Sequence, residues 1–230
     1  MIPTFNEADN IGRLIEEILA ADSMVEVLVV DDDSPDGTAT VVEKYISKSP
    51  RVHLMLRKAD RGRGKAGVAG FLRALELGAD CVIEMDGDFS HHPRYIPGFL
   101  NDINYYDVVI GSRFVEGGEE RDRDLIRRLL TRFASFYIRR LYGMRIRDCT
   151  SGFRCFRKTV LEAIPLRGMT SRGPSIVEEI LYACHLKGFS FKEIPIIFED
   201  RKRGKSTLNV SKVLDTFFMI LRIRFSPAWK

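Results

Sequence analysis

A doubly wound α/β fold with a mostly parallel sheet is what this sequence predicts, and three observations predict it. Apolar runs of strand length alternate with segments of helical periodicity through the first half. Two of those runs, VEVLVVDDD and CVIEMD, end in acid. The 230 residues are 45% hydrophobic and 30% charged, enough for one folded core and too apolar for disorder. Strands alternating with helices imply right-handed crossovers, and such sheets bind ligands beyond the carboxyl ends of their strands.

The elements follow in order. NEADNIGRLIEEILAAD sets Ile11, Leu14, Ile15, Ile18 and Leu19 on one helical face, with Asn6 as the expected N-cap. VEVLVVDDD reads as a buried strand, DGTATVVEKYISKS as a helix and RVHLMLR as a strand. GKAGVAGFLRALELGA is helical, CVIEMD a strand, PRYIPGFLNDI a helix and DVVIGSRF a strand. In the second half, DLIRRLLTRFASFYIRRLYG is a helix with Ile126, Leu129, Leu130, Phe133, Tyr137 and Leu141 on one face and Arg128, Arg132 and Arg139 opposite. A turn-rich stretch (RDCTSGFRCFRK), a helix around IVEEILYACHLKG, a strand FSFKEIPIIF, a basic loop and a last apolar helix complete the chain.

The net charge of +4 conceals a division: residues 1–120 carry −10 and residues 121–230 carry +14. An acidic half suits a metal-bridged ligand, and a basic half suits an anionic partner or surface. Cys81, Cys149, Cys155 and Cys184 have neither CxxC spacing nor a zinc pattern with histidine, and read as reduced cytosolic thiols. No basic-then-apolar leader opens the chain, which argues against secretion. The uncharged stretch TFFMIL near the C-terminus is far below the roughly 20 apolar residues of a membrane span.

Three motifs carry chemistry. Asp86 and Asp88 stand one residue apart at a strand end, in MDGDFSHHP. Helix capping would explain them singly, but two neighbouring carboxylates repel unless a cation or donors compensate, and both can reach one hard cation that in turn holds a diphosphate. His91 and His92 fit structural contacts better than a zinc site, since no third nitrogen or sulfur ligand is near in sequence. GRGKAG fails as a phosphate loop: Ala59 and Ala66 stand where glycine and serine or threonine are needed. It remains a glycine-rich helix start able to approach a ligand closely. RKRGKSTL gathers Arg201, Lys202, Arg203 and Lys205 between a strand and a helix, and guanidinium forks held in place suit phosphate.

PTFNEADNI, VVDDDSPDGT, MDGDFSHHP, GSRF, SGFR and RxRGxS occur in the order found in dolichol-phosphate mannose synthases, within the family-2 glycosyltransferases of GT-A fold. The resemblance runs from Pro3 to about Asn209. It implies a GT-A, Rossmann-like domain over residues 1–207 and a membrane-proximal amphipathic helix over 208–230. It implies inverting transfer of mannose from GDP-mannose to a polyprenyl or dolichyl phosphate, by a peripheral protein at the cytoplasmic face of a membrane. A small membrane-anchoring subunit is a further implied partner; nucleic acid is not. The resemblance puts Pro3, Phe5 and Glu7 on the nucleotide, Val30 and Asp32 beside base and ribose, and Gly87 against the nucleotide. Asp86, Asp88 and Ser90 would surround Mg²⁺ or Mn²⁺. Catalytic roles fall to Asp88, Arg113 and Arg201, with Arg113 also contacting the donor. Arg127, Thr131, Arg201, Arg203 and Lys205 would hold the acceptor phosphate.

The chain departs from the family in places. Some relatives have glutamine at Ser90, and the lysine usual after the basic-loop serine is Thr207 here, with Lys205 nearby to substitute. A UDP-sugar donor keeps the fold and changes the product, and a non-catalytic membrane-surface module is the rival of another class. An acceptor phosphate needs no dedicated base, because its second pKa of about 6 leaves a nucleophilic dianion near neutrality. Phe218, Ile220 and Ile223 fall outside the apolar face of Val213, Leu214, Phe217 and Leu221, so the last helix is expected to rest on a bilayer. Only Met1 and Ile2 precede Pro3, too few for a central strand of about five or six residues. The expectation is therefore that residues are missing upstream.

Overall fold

Apolar segments of period two and period 3.6 become strands and helices in the expected alternation. The computed structural model describes residues 1–199 and 210–225, the side chains of 210–216 excepted. In chain order, β1 (Ile2–Thr4), α1 (Ala8–Ala21), β2 (Val27–Asp31), α2 (Thr38–Ile46) and β3 (Val52–Leu56) build a parallel sheet in the order β1-β2-β3. Next come α3 (Arg63–Glu76), β4 (Cys81–Glu84), a 3₁₀ turn at Pro93–Tyr95, α4 (Ile96–Asp102), β5 (Val108–Ser112) and β6 (Glu119–Arg121). Then follow α5 (Leu125–Tyr142), β7 (Arg154–Arg157), α6 (Lys158–Ala163), α7 (Ile176–Leu186), β8 (Phe191–Pro195), β9 (Ile197–Glu199) and α8 (Val210–Phe225). A second sheet has the order β4-β7-β5-β8, and β6 pairs in parallel with β9.

Met1 joins the two larger sheets. Its nitrogen donates to the Ile83 carbonyl at 2.8 Å, and Met85 N–H donates to the Met1 carbonyl at 3.2 Å. The first strand is thus short but central, with β2 on one side and β4 on the other. All five residues of β2 are buried, as in a strand covered on both faces. Its side chains alternate between two cores. Leu28 and Val30 join Phe71, Ile138 and Leu181, whereas Val27 and Val29 join Ile11, Leu14 and Phe99.

Five expectations are corrected. Asn6 is not the N-cap: it adopts φ 62, α1 starts at Ala8, and Asp36 Oδ2 accepts from Ala8 N–H at 2.9 Å, capping from another loop. The stretch expected to be turns contains β7, which lies antiparallel between β4 and β5. The chain re-enters at the carboxyl end of β5, where Gly111 N–H donates to the Phe153 carbonyl, so the returning strand runs backwards. FSFKEIPIIF is two strands, broken at Ile196, whose N–H turns to the Ser112 carbonyl. α5 meets the core through Ser135, Ile138 and Tyr142 in its second half, with Tyr137 and Leu141 of the expected face packed beside them, and leaves Ile126, Leu129, Leu130 and Phe133 exposed. Ile220 and Ile223 of α8 are buried rather than turned to a bilayer, and Tyr142 Oη donates to the Ile220 carbonyl. Phe218 is exposed as expected, while the side chains of Val213 and Leu214 lie outside the described residues.

Candidate active site

The carboxyl ends of β1 and β2 open into a cleft of about 410 Å³ lined by Pro3, Thr4, Phe5, Asp32, Arg61, Gly62, Arg63 and Ala66. Hydrogen bonds shape its walls. Asp31 accepts from Thr4 Oγ1 at 3.0 Å and from Ser34 N and Oγ at 2.9 and 2.6 Å, which fixes the turn after β2. Asp32 pairs with Arg57 and accepts from Gly62 N–H at 2.7 Å, tying β2 to the start of α3. Val30 does not reach the cleft. It points to the same side of β2 but deeper, under α3, where a Cβ on Gly70 would lie 3.0 Å from it.

The close approach at the α3 start is partly to the protein itself. Gly64 N–H donates to the Arg172 carbonyl at 2.8 Å, and a Cβ on Gly64 would lie 2.2 Å from the Ser171 carbonyl oxygen. Gly62, at φ +131, lines the cleft.

The Asp86-Gly87-Asp88 loop follows β4 beside this cleft. A Cβ on Gly87 would lie 3.3 Å from Glu7 Cγ and 3.4 Å from Thr4 Cγ2, so glycine lets the loop close onto β1. Glu7 Oε2 accepts from Asn10 Nδ2 at 2.9 Å, and its N–H donates to Thr38 Oγ1 at 3.0 Å. Ser90 donates from Oγ to Asp88 Oδ1 at 2.6 Å and from its N–H at 3.1 Å. It orients Asp88 rather than standing apart as a third oxygen. Buried His91 accepts the Asp86 N–H on Nδ1 at 3.0 Å and stacks on Phe153. Burial pushes its imidazole below the ordinary range against the pull of Asp86 and Asp88, which keeps it neutral and accepting. His92 accepts from Arg94 N–H at 3.2 Å. Both histidines are structural contacts. Among the described residues, no three His, Cys, Asp or Glu side chains converge on one point.

A buried charge chain backs the loop. Glu84, fully buried inside β4, accepts from Arg63 Nη1 at 2.7 Å and pairs with buried Arg154 of β7. Burial would raise its carboxyl, but the two arginines outweigh it and hold it at about 2. Arg63 then reaches Asp86 at 3.6 Å. The SGFR motif meets the same point, because a Cβ on Gly152 would lie 3.6 Å from Arg63 and 3.8 Å from Asp86.

Arg113 is committed inside the protein. It donates through Nε and Nη2 to Asp148, both at 2.7 Å, and through Nη2 to Thr150 at 2.7 Å, with Nη1 3.7 Å from Glu120. Burial would raise the Asp148 carboxyl, but Arg113 outweighs it and holds it low. This arginine fixes the loop before β7 onto the end of β5, and its fork does not stand open to a phosphate. Thr131 Oγ1 donates to the Arg127 carbonyl at 2.8 Å within α5. Arg201, Arg203 and Lys205 lie outside the described residues.

Sequence reasoning missed Arg61, Arg63, Glu84, Asp148 and Arg154. Glu84 did leave a signal, since a carboxylate inside an apolar strand requires a buried cation.

Comparisons with known proteins agree on this architecture. The model of glycosyl transferase family 2 matches residues 1–164. The chain is 36% identical over 222 residues to polyprenol monophosphomannose synthase of Mycolicibacterium smegmatis, covering 96% of this chain and 84% of that protein. It is 33% identical over 230 residues to undecaprenyl-phosphate mannosyltransferase of Micrococcus luteus, covering 100% and 95%. Among solved structures, glucosyl-3-phosphoglycerate synthase of Mycobacterium tuberculosis, crystallised with Mn²⁺, UDP-glucose and glycerol 3-phosphate, superposes with a TM-score of 0.73. That match has 16% identity and covers 97% of this chain and 78% of the other, a likeness of fold. The chain belongs to glycosyl transferase family 2 and is a glycosyltransferase of GT-A fold.

Proposed function

We propose that this glycosyltransferase moves mannose from GDP-mannose to a polyprenyl phosphate at the cytoplasmic face of a membrane, with inversion. The observation that carries the site is the Asp86-Gly87-Asp88 loop abutting the cleft at the carboxyl ends of β1 and β2. The two relatives named for polyprenyl-phosphate mannosylation support the reaction class. Pro3, Phe5 and Asp32 line the space for the nucleoside.

Asp86 and Asp88 present carboxylate oxygens, the donors that Mg²⁺ or Mn²⁺ prefers. Asp86 is 40% exposed and, among the described residues, is ion-paired with Arg63 at 3.6 Å, so its carboxylate remains open to such an ion. A divalent cation bound there would neutralise the diphosphate of the leaving nucleotide. The protein's own part is positioning. His91 and Ser90 aim the two aspartates, Arg63 adds fixed positive charge at the cleft, and Gly87 admits close backbone approach. Arg127 and Thr131 on α5, with Arg201, Arg203 and Lys205, are proposed for the acceptor phosphate, which brings its own nucleophilic oxygen.

A panel of radiolabelled GDP-mannose and UDP-sugars with a short polyprenyl phosphate tests the reading. Labelled lipid is expected from GDP-mannose. Product from a UDP-sugar alone overturns the donor assignment, and no lipid product from any donor overturns the reaction.

A further inference from the structure

Two arginines line the cleft, and they are held differently. Arg61 is half exposed and paired with Asp33. Arg63 is locked. Its Nη1 donates to Glu84 Oε1 at 2.7 Å, and Glu84 is itself fully buried and paired with Arg154 of β7. The guanidinium is also slotted between two glycines: a Cβ on Gly67 would lie 3.2 Å from Nη1, and one on Gly152 would lie 3.6 Å from Nη2. With 23% of its side chain exposed, Arg63 offers the cleft one side of a fork that cannot swing away without breaking a buried ion pair.

That fork sits at the Asp86-Gly87-Asp88 loop. Nη2 lies 3.6 Å from Asp86 Oδ1, an ion pair longer than an ordinary hydrogen bond. Its charge therefore repels any cation that Asp86 would hold and attracts a phosphate oxygen brought to the same place. Asp86 and Asp88 carry −2 between them, and Arg63 returns +1. The remainder is little for a divalent ion to bind, and a nucleoside diphosphate supplies the missing negative charge. Balancing Glu84 does not by itself require Arg63, because Arg154 is already a counter-charge on the neighbouring strand.

We infer that Arg63 is a protein-borne cation of the donor site. It takes a diphosphate oxygen of the nucleotide on its cleft side, and its charge beside Asp86 keeps binding of a divalent ion weak until that diphosphate arrives. The nucleotide therefore brings the ion with it, and the nucleotide alone still finds a cation in place. Arginine suits this double task better than lysine, because one edge of the planar fork serves Glu84 while the other serves phosphate. The inference rests on the nucleoside-diphosphate reading of the cleft and deepens it by naming a residue that touches the diphosphate.

Two binding measurements on the full chain test it, and neither reads turnover. Mn²⁺ uptake is followed by the electron paramagnetic resonance of the free ion, with and without GDP or UDP. Nucleotide binding is followed by calorimetry in excess chelator. Wild-type protein should hold Mn²⁺ about tenfold or more tightly when nucleotide is present, and should bind nucleotide measurably in chelator. Arg63→Met should move the two measurements in opposite directions. Mn²⁺ binding without nucleotide should tighten roughly tenfold, the scale on which a unit charge about 4 Å away repels a divalent ion in water. Nucleotide binding in chelator should weaken roughly tenfold or more, the loss of a charge-assisted hydrogen bond. An Arg63 that only supported the fold would move both the same way. Arg63→Lys should keep Mn²⁺ binding weak and lose part of the nucleotide affinity. If Arg63→Met does not fold, Arg63→Gln, which can still donate to Glu84, carries the test. Arg73→Ala, on the exposed side of α3, should behave as wild type in both measurements.

Wild-type protein that holds Mn²⁺ as tightly without nucleotide as with it overturns the proposal. So does a folded Arg63→Met protein in which either affinity is unchanged. The donor reading fails separately. If UDP binds and GDP does not, the mannose-donor assignment falls and the role of Arg63 stands. If GDP-mannose yields lipid product while Arg63→Met binds Mn²⁺ and GDP as wild type does, the reaction stands and this role falls.

Discussion

Asp88 and Asp148 illustrate two uses of a carboxylate in this molecule. Asp88 accepts two hydrogen bonds from Ser90 in the loop beside the cleft. Asp88→Asn keeps the shape and removes the charge, so transfer should fall to near background while the thermal transition is unchanged. A chelator should reproduce that loss in the wild type; full activity of the variant in chelator would remove any metal role. Asp148 works inside, against Arg113. Asp148→Asn leaves a buried guanidinium without its counter-charge and should lower the unfolding free energy by about 3–5 kcal/mol in urea titration. A change below ~1 kcal/mol would mean that Glu120 takes over the pairing. The first aspartate was legible because its partner in the motif is two residues away. The second was not, since its partner lies 35 residues upstream and only the fold brings them together.

At the scale of elements, α3 begins where two glycines let separate backbones touch. Gly64→Ala would drive a Cβ to 2.2 Å from the Ser171 carbonyl oxygen, which cannot rotate away as a side chain could. The variant should lose about 1–3 kcal/mol or more and should weaken donor binding, because Gly62 and Arg63 move with the helix start. Wild-type stability and donor affinity together would show that the 171–172 segment yields freely. Elements with strong periodicity were readable: α1, α3 and β2 stand where the apolar spacing puts them. β7 was hidden because RCFR is four residues with an arginine at each end, and Arg154 is buried against Glu84 on the neighbouring strand and the Val177 carbonyl. The orientation of α5 was hidden for a different reason. Its most apolar face is not its core face, and periodicity alone cannot say which side a protein covers.

Across the whole molecule, the negative first half supplies the carboxylates of the cleft and the positive second half supplies α5 and the basic loop. The second half also carries a pH-sensitive group. Glu178, buried at the start of α7 with Oε2 lacking a hydrogen-bond partner among the described residues, has its carboxyl raised by burial from 4.5 to about 7. The folded state therefore holds this proton more tightly than the unfolded state. The associated stability is fully present below about pH 4.5 and is lost as pH rises through about 7. Urea titrations should show a decline of up to about 3 kcal/mol between pH 5 and pH 8 from this group, and Glu178→Gln should flatten it. A Gln variant with the same decline would assign the effect to other groups.

The interleaving of β7 between β4 and β5 also has a consequence for the chain as it is made. The first three strands are complete once Leu56 has emerged, and β4 follows by Glu84. The second partner of Glu84 arrives only with Arg154, a delay of roughly 4–14 s at translation rates of 5–20 residues per second. Throughout that interval one edge of β4 is bare and its acid has Arg63 but not Arg154 as counter-charge, in a segment that is otherwise apolar. A nascent chain of this kind is a natural client for a ribosome-bound chaperone, and its most vulnerable length is reached just before the strand that will close the sheet has left the exit tunnel.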